Sequence, residues 1–206
     1  MLAIFAIPVL VAPPHRTIME VQDTLGPTAA PTASAPAKGE DVAVLTTKEG
    51  EIVLKFFPDK APNHVENFKK LTLDGFYDGT RFHRCIAGFM IQGGDPNSKD
   101  LEKANIWGTG GPGTHVKAEF NDQTHARGVL SMARSSDPDS AGSQFFICVK
   151  DSKFLDRQYT AFGIVVKGMD VADKIVMTGD AQANGRVDPE KAVSVTKIEI
   201  KKWPLE

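Results

Sequence analysis

The sequence has only two cysteines, Cys85 and Cys148, each inside an apolar, strand-like run. Two buried thiols are expected from that setting, which leaves out a disulfide framework and a thiolate metal site. The five histidines show no metal-ligand spacing, so no metal is expected. An excess of charge of either sign is also missing, with 24 Lys and Arg against 26 Asp and Glu. The formal charge is −2 with no dense basic stripe, so nothing draws the chain to nucleic acid. No apolar run is long enough to span a bilayer as a helix, and no internal repeat occurs. Trp and Tyr number two each against twelve Phe, so the core is expected to rest on Phe.

A chain of 206 residues with 41% hydrophobic residues suits one globular domain with an extension. Met1–Ala12 is an apolar run of signal h-region length. It lacks a basic start and a nearby small-x-small cleavage site. A weak export signal and an unstructured tail both fit, so the cytoplasm and the cell envelope both stay open. Residues 26–39 form a Pro/Ala/Thr linker with too little apolar bulk to offset its ordering entropy. The boundary falls near Gly39, with residues 1–39 as appendage and 40–206 as the folded unit. No exposed heptad pattern occurs, and a monomer is expected.

Val42–Thr46 and Ile52–Phe57 read as a strand hairpin. Pro62 suits the first turn of a helix, and Val65, Phe68 and Leu71 follow at helical spacing. His64 is expected on the polar face of that helix. His115–Phe120, Gly128–Ala133, Ser143–Val149, Tyr159–Val166 and Ala192–Lys201 read as further strands, and Met169–Met177 as a second helix. Many short strands with two lone helices argue for an all-β sandwich or barrel, since βαβ alternation is missing.

Pro96–Gly113 reads as a polar, glycine-rich loop. Its Gly108-Thr109-Gly110-Gly111-Pro112-Gly113 matches the dinucleotide fingerprint in form only. That fingerprint needs a strand before it and a helix N-terminus after it, and neither is expected here. Asp137–Gly142 resembles the start of a calcium loop. Cys148 stands where such a loop needs Glu, so a surface turn is expected.

The densest signal is Arg81–Asp95. Two short apolar runs flank Ala87-Gly88, which suits a tight hairpin. Side-chain alternation then places Arg84, Met90 and Gln92 on one surface, a cation and an amide beside a soft apolar group. His83, beside Phe82, is expected as a satisfied core histidine.

This wording, F-H-R-x-I-x-G-F-M-x-Q-G-G-D, resembles the cyclophilin family of peptidyl-prolyl isomerases. The similarity runs over about residues 41–203. It includes Ala61-Pro62 with Asn67-Phe68, Gly128–Ala133, Gly142–Ile147, Phe154-Leu155-Asp156 and Phe162-Gly163. It implies a closed eight-stranded antiparallel barrel capped by two α-helices, with the active site on its outer face. It implies Arg84 as the catalytic residue and Phe89, Met90, Phe146 and Leu155 as the proline pocket. Gln92 and the backbone at Arg134 would hold the peptide, with Ala133 and Gln144 lining the groove. Phe154 stands where eukaryotic members commonly have Trp, and Tyr159 where they commonly have His. Asn97–Asn105 is longer than in compact members.

The implied partners are proline-containing peptides and folding protein clients, with weak cyclosporin binding. No cofactor is implied. Two other functions compete. A peptide-binding module would keep the groove without turnover, but it would not need Arg84. A nucleotide-binding protein would use the glycine-rich loop.

Overall fold

A computed structural model describes residues 34–205 of the chain. Met1–Ala12 and the linker up to residue 33 lie outside the described residues. The chain runs β1 (Asp41–Thr47), β2 (Gly50–Phe56), α1 (Pro62–Leu73), β3 (Arg84–Ile86), β4 (Met90–Gly93), β5 (Val129–Met132), β6 (Phe145–Cys148), β7 (Ala161–Lys167), α2 (Met169–Val176) and β8 (Val195–Lys202). One antiparallel sheet joins the strands in the order β3-β4-β6-β5-β7-β2-β1-β8.

The expected strand number, strand direction and helix pair are present. The expected closed barrel is corrected in one respect, because no strand ladder joins edge strands β3 and β8. Irregular backbone spans the gap instead. Phe82 N–H donates to the Val193 carbonyl at 3.0 Å, and Val195 N–H donates to the Thr80 carbonyl at 2.7 Å. Strand β3 is three residues long, too short to reach β8 with a ladder of its own.

Phe68, fully buried on α1, is the centre of the core. Its ring lies 5.9 Å from Phe56, 4.9 Å from Tyr77, 5.6 Å from Phe145 and 5.5 Å from Phe162. The reliance on Phe is thus visible in the packing. A second cluster forms elsewhere on the sheet from Met90, Phe146, Cys148 and Leu155. Both cysteines are buried and free, and burial pushes each thiol up to about 12. Ser34–Glu40 lies beside the end of β8. Pro36 is buried, and Gly39 N–H donates to the Trp203 carbonyl at 2.7 Å.

His64 corrects its expected placement. It is fully buried, with Nδ1 2.6 Å from Glu119 Oε2. The same carboxylate accepts the backbone N–H groups of Asn63 and His64 at 3.1 and 3.0 Å. It thereby caps two of the open donors at the start of α1, where negative charge also suits the helix dipole. His115–Phe120 is corrected too. It forms no strand and pairs only through the isolated Val116–Ala141 bridge. Its backbone instead spends bonds on loops, as when Ala118 N–H donates to Asp139 at 2.9 Å.

Burial pulls His64, His83 and His125 below the usual imidazole value of 6.5. The folded state therefore favours the neutral rings, while the unfolded chain takes up protons below about pH 6.5. Their contribution to stability is complete above that pH and is lost as pH falls through the depressed folded values. Melting temperature should fall between pH 7.5 and 5, and His83→Asn should flatten the slope. A melting temperature constant across that range would contradict this account.

Candidate active site

Strand β3 pairs with β4 in the register Arg84–Gln92, Cys85–Ile91 and Ile86–Met90. Alternation then sends Cys85 and Ile91 into the main core and leaves Arg84, Met90 and Gln92 on the opposite face. Strand β6 lies against β4 with Phe146 opposite Gln92 and Cys148 opposite Met90. Four residues on two strands thus make one surface, apolar at one end and polar at the other.

The expected site residues converge. Arg84, Phe89, Met90, Gln92, Ala133, Arg134, Phe146, Phe154, Leu155 and Tyr159 line one groove of ≈ 610 Å³. Gln144 lines an adjoining recess of ≈ 350 Å³, which shares Gln92, Ala133 and Arg134 with the groove. Met90, Phe146 and Leu155 are buried at its floor. Phe154 stands out at 65% exposure, its ring 5.3 Å from Phe89, as an aromatic wall. Tyr159 meets Phe146 edge-on at 5.8 Å.

Arg84 is half-buried and held from two sides. Its Nε and Nη2 donate to the backbone carbonyl and Oδ1 of Asn184, each at 3.1 Å, and its Nη1 donates to Gln92 Oε1 at 3.4 Å. Burial pulls the guanidinium below its ordinary value, yet an arginine stays charged. The hydrogen-bond chain continues. Gln92 Nε2 donates to Gln144 Oε1 at 3.0 Å, and Gln144 Nε2 donates to the carbonyls of Gly108 and Gly110 at 3.0 and 2.9 Å.

Asn184 was not among the residues the sequence suggested. It lies 100 positions from Arg84 in the chain, at φ 53 in the turn before β8. The next residue lets that turn come close. Cys85 N–H donates to the Gly185 carbonyl at 2.7 Å, and a Cβ on Gly185 would strike Ile86 and the Cys85 carbonyl. Asn-Gly is a turn signal legible in any sequence, but not its target. Trp107 and Arg186 also line the groove unforeseen. Trp107 ends a 3-10 turn, Leu101–Ile106, inside the stretch expected to be plain loop. Its Nε1 donates to the Asp100 carbonyl at 3.0 Å.

The glycine-rich loop turns two carbonyls, not N–H groups, toward Gln144. A phosphate cradle needs the reverse polarity. A Cβ on Gly110 would fall on the buried Asp95 carboxylate, which also accepts the Gly108 N–H. The glycines here serve close packing. Asp137–Asp139 is exposed in a turn that carries a short 3-10 element, Pro138–Ser140, as expected, and the stretch re-enters the core at the buried Ala141.

Behind Phe146 sits a Ser-His-Asp arrangement. His125 Nδ1 is 3.0 Å from Asp156 and its Nε2 is 3.0 Å from Ser131 Oγ. Ser131 and His125 are fully buried, and Ser131 donates to the Thr160 carbonyl at 2.9 Å. No substrate carbonyl can approach that hydroxyl, so the triad supports Phe146 from below and is not a hydrolytic centre. His83 is buried as expected but is not satisfied, since neither ring nitrogen has a hydrogen-bond partner among the described residues.

A fixed guanidinium thus stands beside an apolar pocket on one face of an eight-stranded antiparallel sheet. Residues 42–200 match the family described as cyclophilin type peptidyl-prolyl cis-trans isomerase/CLD. A probable peptidyl-prolyl cis-trans isomerase of Brucella abortus is 44% identical over 169 residues, 80% of this chain and 86% of that one. A peptidyl-prolyl cis-trans isomerase of Acinetobacter baylyi is 42% identical over 176 residues, 82% of this chain and 89% of that one. Among solved structures, a Cryptosporidium parvum cyclophilin type isomerase crystallised in the presence of the dipeptide Ala-Pro is similar at TM-score 0.67 and 29% identity. The similarity covers 78% of this chain and 99% of that one. The chain belongs to the cyclophilin-type peptidyl-prolyl cis-trans isomerase family. Its activity is the cis/trans isomerisation of Xaa-Pro peptide bonds, a step that assists protein folding.

Proposed function

We propose that Arg84 is the catalytic residue and that the groove around it holds the prolyl peptide. The supporting observation is the fixed guanidinium at the mouth of the apolar pocket. An Xaa-Pro bond turns slowly because rotation breaks amide resonance, against a barrier of roughly 18–20 kcal/mol. Rotation neither makes nor breaks a covalent bond, so no nucleophile is called for. In the twisted state the proline nitrogen regains its lone pair. The Arg84 guanidinium can donate to that lone pair, and the planar ground state has none to offer. The interaction therefore stabilises the transition state selectively.

Met90, Phe146, Leu155 and Phe89 grip the proline ring while the carbonyl side turns. Gln92 and the backbone at Arg134 bind the flanking peptide, with Ala133 and Gln144 along the wall. Phe154 and Tyr159 border the pocket. The isomerase unit is assigned to residues 40–206, with 1–39 as an appendage. It acts as a monomer on unfolded and folding protein chains. The sheet stays open between β3 and β8, and backbone bonds between residues 79–82 and 193–195 bridge that gap. Turnover of a Xaa-Pro peptide in a fluorescence or protease-coupled assay tests the role assigned to the groove. Binding without turnover would reassign it to a peptide-binding module.

The exposed ring of Phe154 bears on drug binding. Cyclophilins that bind cyclosporin tightly resemble one another in having Trp here, and an indole N–H can donate to a macrocycle carbonyl. Phe keeps the wall without the donor. An unpaired carbonyl weakens binding by about 1–3 kcal/mol, or about one to two decades. Cyclosporin should therefore inhibit weakly, and Phe154→Trp should strengthen inhibition with little change in turnover. Titration of both proteins in one assay decides the matter. Tight inhibition of the wild type would refute it.

A further inference from the structure

The groove carries a charge pattern unlike the rest of the chain. Arg84, Arg134 and Arg186 line it, and no Asp or Glu does, although the whole chain has a formal charge of −2. Among the described residues the only arginine in an ion pair is Arg127, with Asp173 at 2.7 Å. None of the three groove arginines has a carboxylate of the described residues within 4.0 Å.

Their N–H groups are spent on neutral acceptors that fix them in place. Arg134 donates from Nε and Nη2 to the Gln158 carbonyl at 3.2 and 3.0 Å, and from Nη1 to the Ser135 carbonyl at 2.8 Å. Its guanidinium lies over the Tyr159 ring at 4.7 Å. Arg186 donates from Nη2 to the Ala104 carbonyl at 2.8 Å, which ties it to the 101–106 turn beside Trp107. Acids in the segments around these arginines are turned onto backbone N–H groups instead. Asp137 accepts from Asp139 N–H at 2.9 Å, Asp180 from Gln182 N–H at 2.8 Å and Asp100 from Glu102 N–H at 2.9 Å. Three cations bordering one concave surface without a countercharge set up a positive field where the peptide must lie.

We infer that this groove selects proline peptides carrying a carboxylate next to the proline, with Arg134 and Arg186 as the residues that set the preference. The inference rests on the groove being the isomerase site. Arg84 contributes to the field but faces the turning bond. The two other guanidiniums lie outside the apolar pocket, with geometry already ordered, so a peptide carboxylate gains attraction at little further entropic cost.

The test uses the full chain and two peptide series, Ala-Xaa-Pro-Phe and Ala-Ala-Pro-Xaa, with Xaa as Glu, Gln or Lys. Turnover of the Gln peptides reports on the isomerase reading alone. The Glu-to-Gln ratio of kcat/KM reports on the charge inference. The expected ratio is about fivefold in at least one series at low salt, with Lys below Gln. It should approach one at 1 M salt, where screening reaches about 3 Å. The double variant Arg134→Gln, Arg186→Gln should collapse the ratio at low salt. A wild-type ratio at or below one in both series overturns the inference, as does a ratio unchanged in a folded double variant. If the double variant does not fold, the wild-type ratio and its salt dependence decide.

Discussion

Arg84→Ala should lower kcat by about 10²–10³-fold, the usual cost of removing one preorganised donor from a transition state. The loss should fall equally on kcat and kcat/KM, because the proline nitrogen offers its lone pair only while the bond is twisted. Substrate binding should change far less, since the proposed grip on the ring comes from Met90, Phe146 and Leu155, which are buried independently of the arginine. The fold should survive, because among the described residues the Arg84 side chain bonds only Asn184 and Gln92, both lining the groove. Arg84→Lys should recover little. A point charge on a flexible stem cannot meet the carbonyl and Oδ1 of Asn184 together while still facing the substrate. Single-turnover and steady-state measurements on a variant shown to be folded by circular dichroism check this. Turnover within tenfold of wild type would remove Arg84 from the mechanism.

Phe68→Ala should have the largest effect on stability, a loss of about 3–5 kcal/mol. The ring is fully buried and touches four other aromatic rings from β2, β6, β7 and the 74–80 segment. Three of those neighbours are held by the sheet and the fourth, Tyr77, is itself fully buried, so they cannot close over the gap and both transfer and cavity costs apply. For a chain of this size the melting temperature should drop by roughly 6–20 °C. Activity measured well below the transition should persist, because Phe68 belongs to the main core and the groove floor to a separate cluster. Denaturant unfolding followed at two wavelengths measures the change. A cost below about 1 kcal/mol would show that the core collapses readily around the missing ring.

These two residues mark what the sequence makes legible. Phe68 was found by helical spacing from Val65 to Leu71, a local pattern that the helix Pro62–Leu73 obeys. The shared face of Arg84, Met90 and Gln92 is legible from alternation, but the register is not, since a two-residue turn at Ala87-Gly88 would pair Arg84 with Ile91, whereas the loop spans residues 87–89 and pairs it with Gln92. The convergence of Phe146, Leu155 and Tyr159 on that hairpin was reached through family resemblance, because no local pattern carries it. What stayed hidden depends on distant partners. His64 looks like a polar-face residue until Glu119, 55 positions later, is laid against the helix start. Asn184 is an ordinary turn residue until Gly185 brings it onto β3. The gap between β3 and β8 is likewise a matter of three-dimensional fit, since β3 spans only Arg84–Ile86.

The chain of amides running from Arg84 has a consequence for the sense in which a peptide can lie. A guanidinium cannot accept, so Gln92 must turn its oxygen toward Arg84 and its NH2 toward Gln144. Gln144 must in turn present oxygen to Gln92 and NH2 to the carbonyls of Gly108 and Gly110. One cation therefore decides the orientation of every amide behind it, and none can flip alone without setting like against like. The wall of the groove is vectorial. An extended peptide is vectorial too, because reversing it exchanges its N–H and C=O groups along the edge. A peptide held as proposed would match this wall in one orientation only, and the order of its residues from N- to C-terminus would then be part of what the surface recognises.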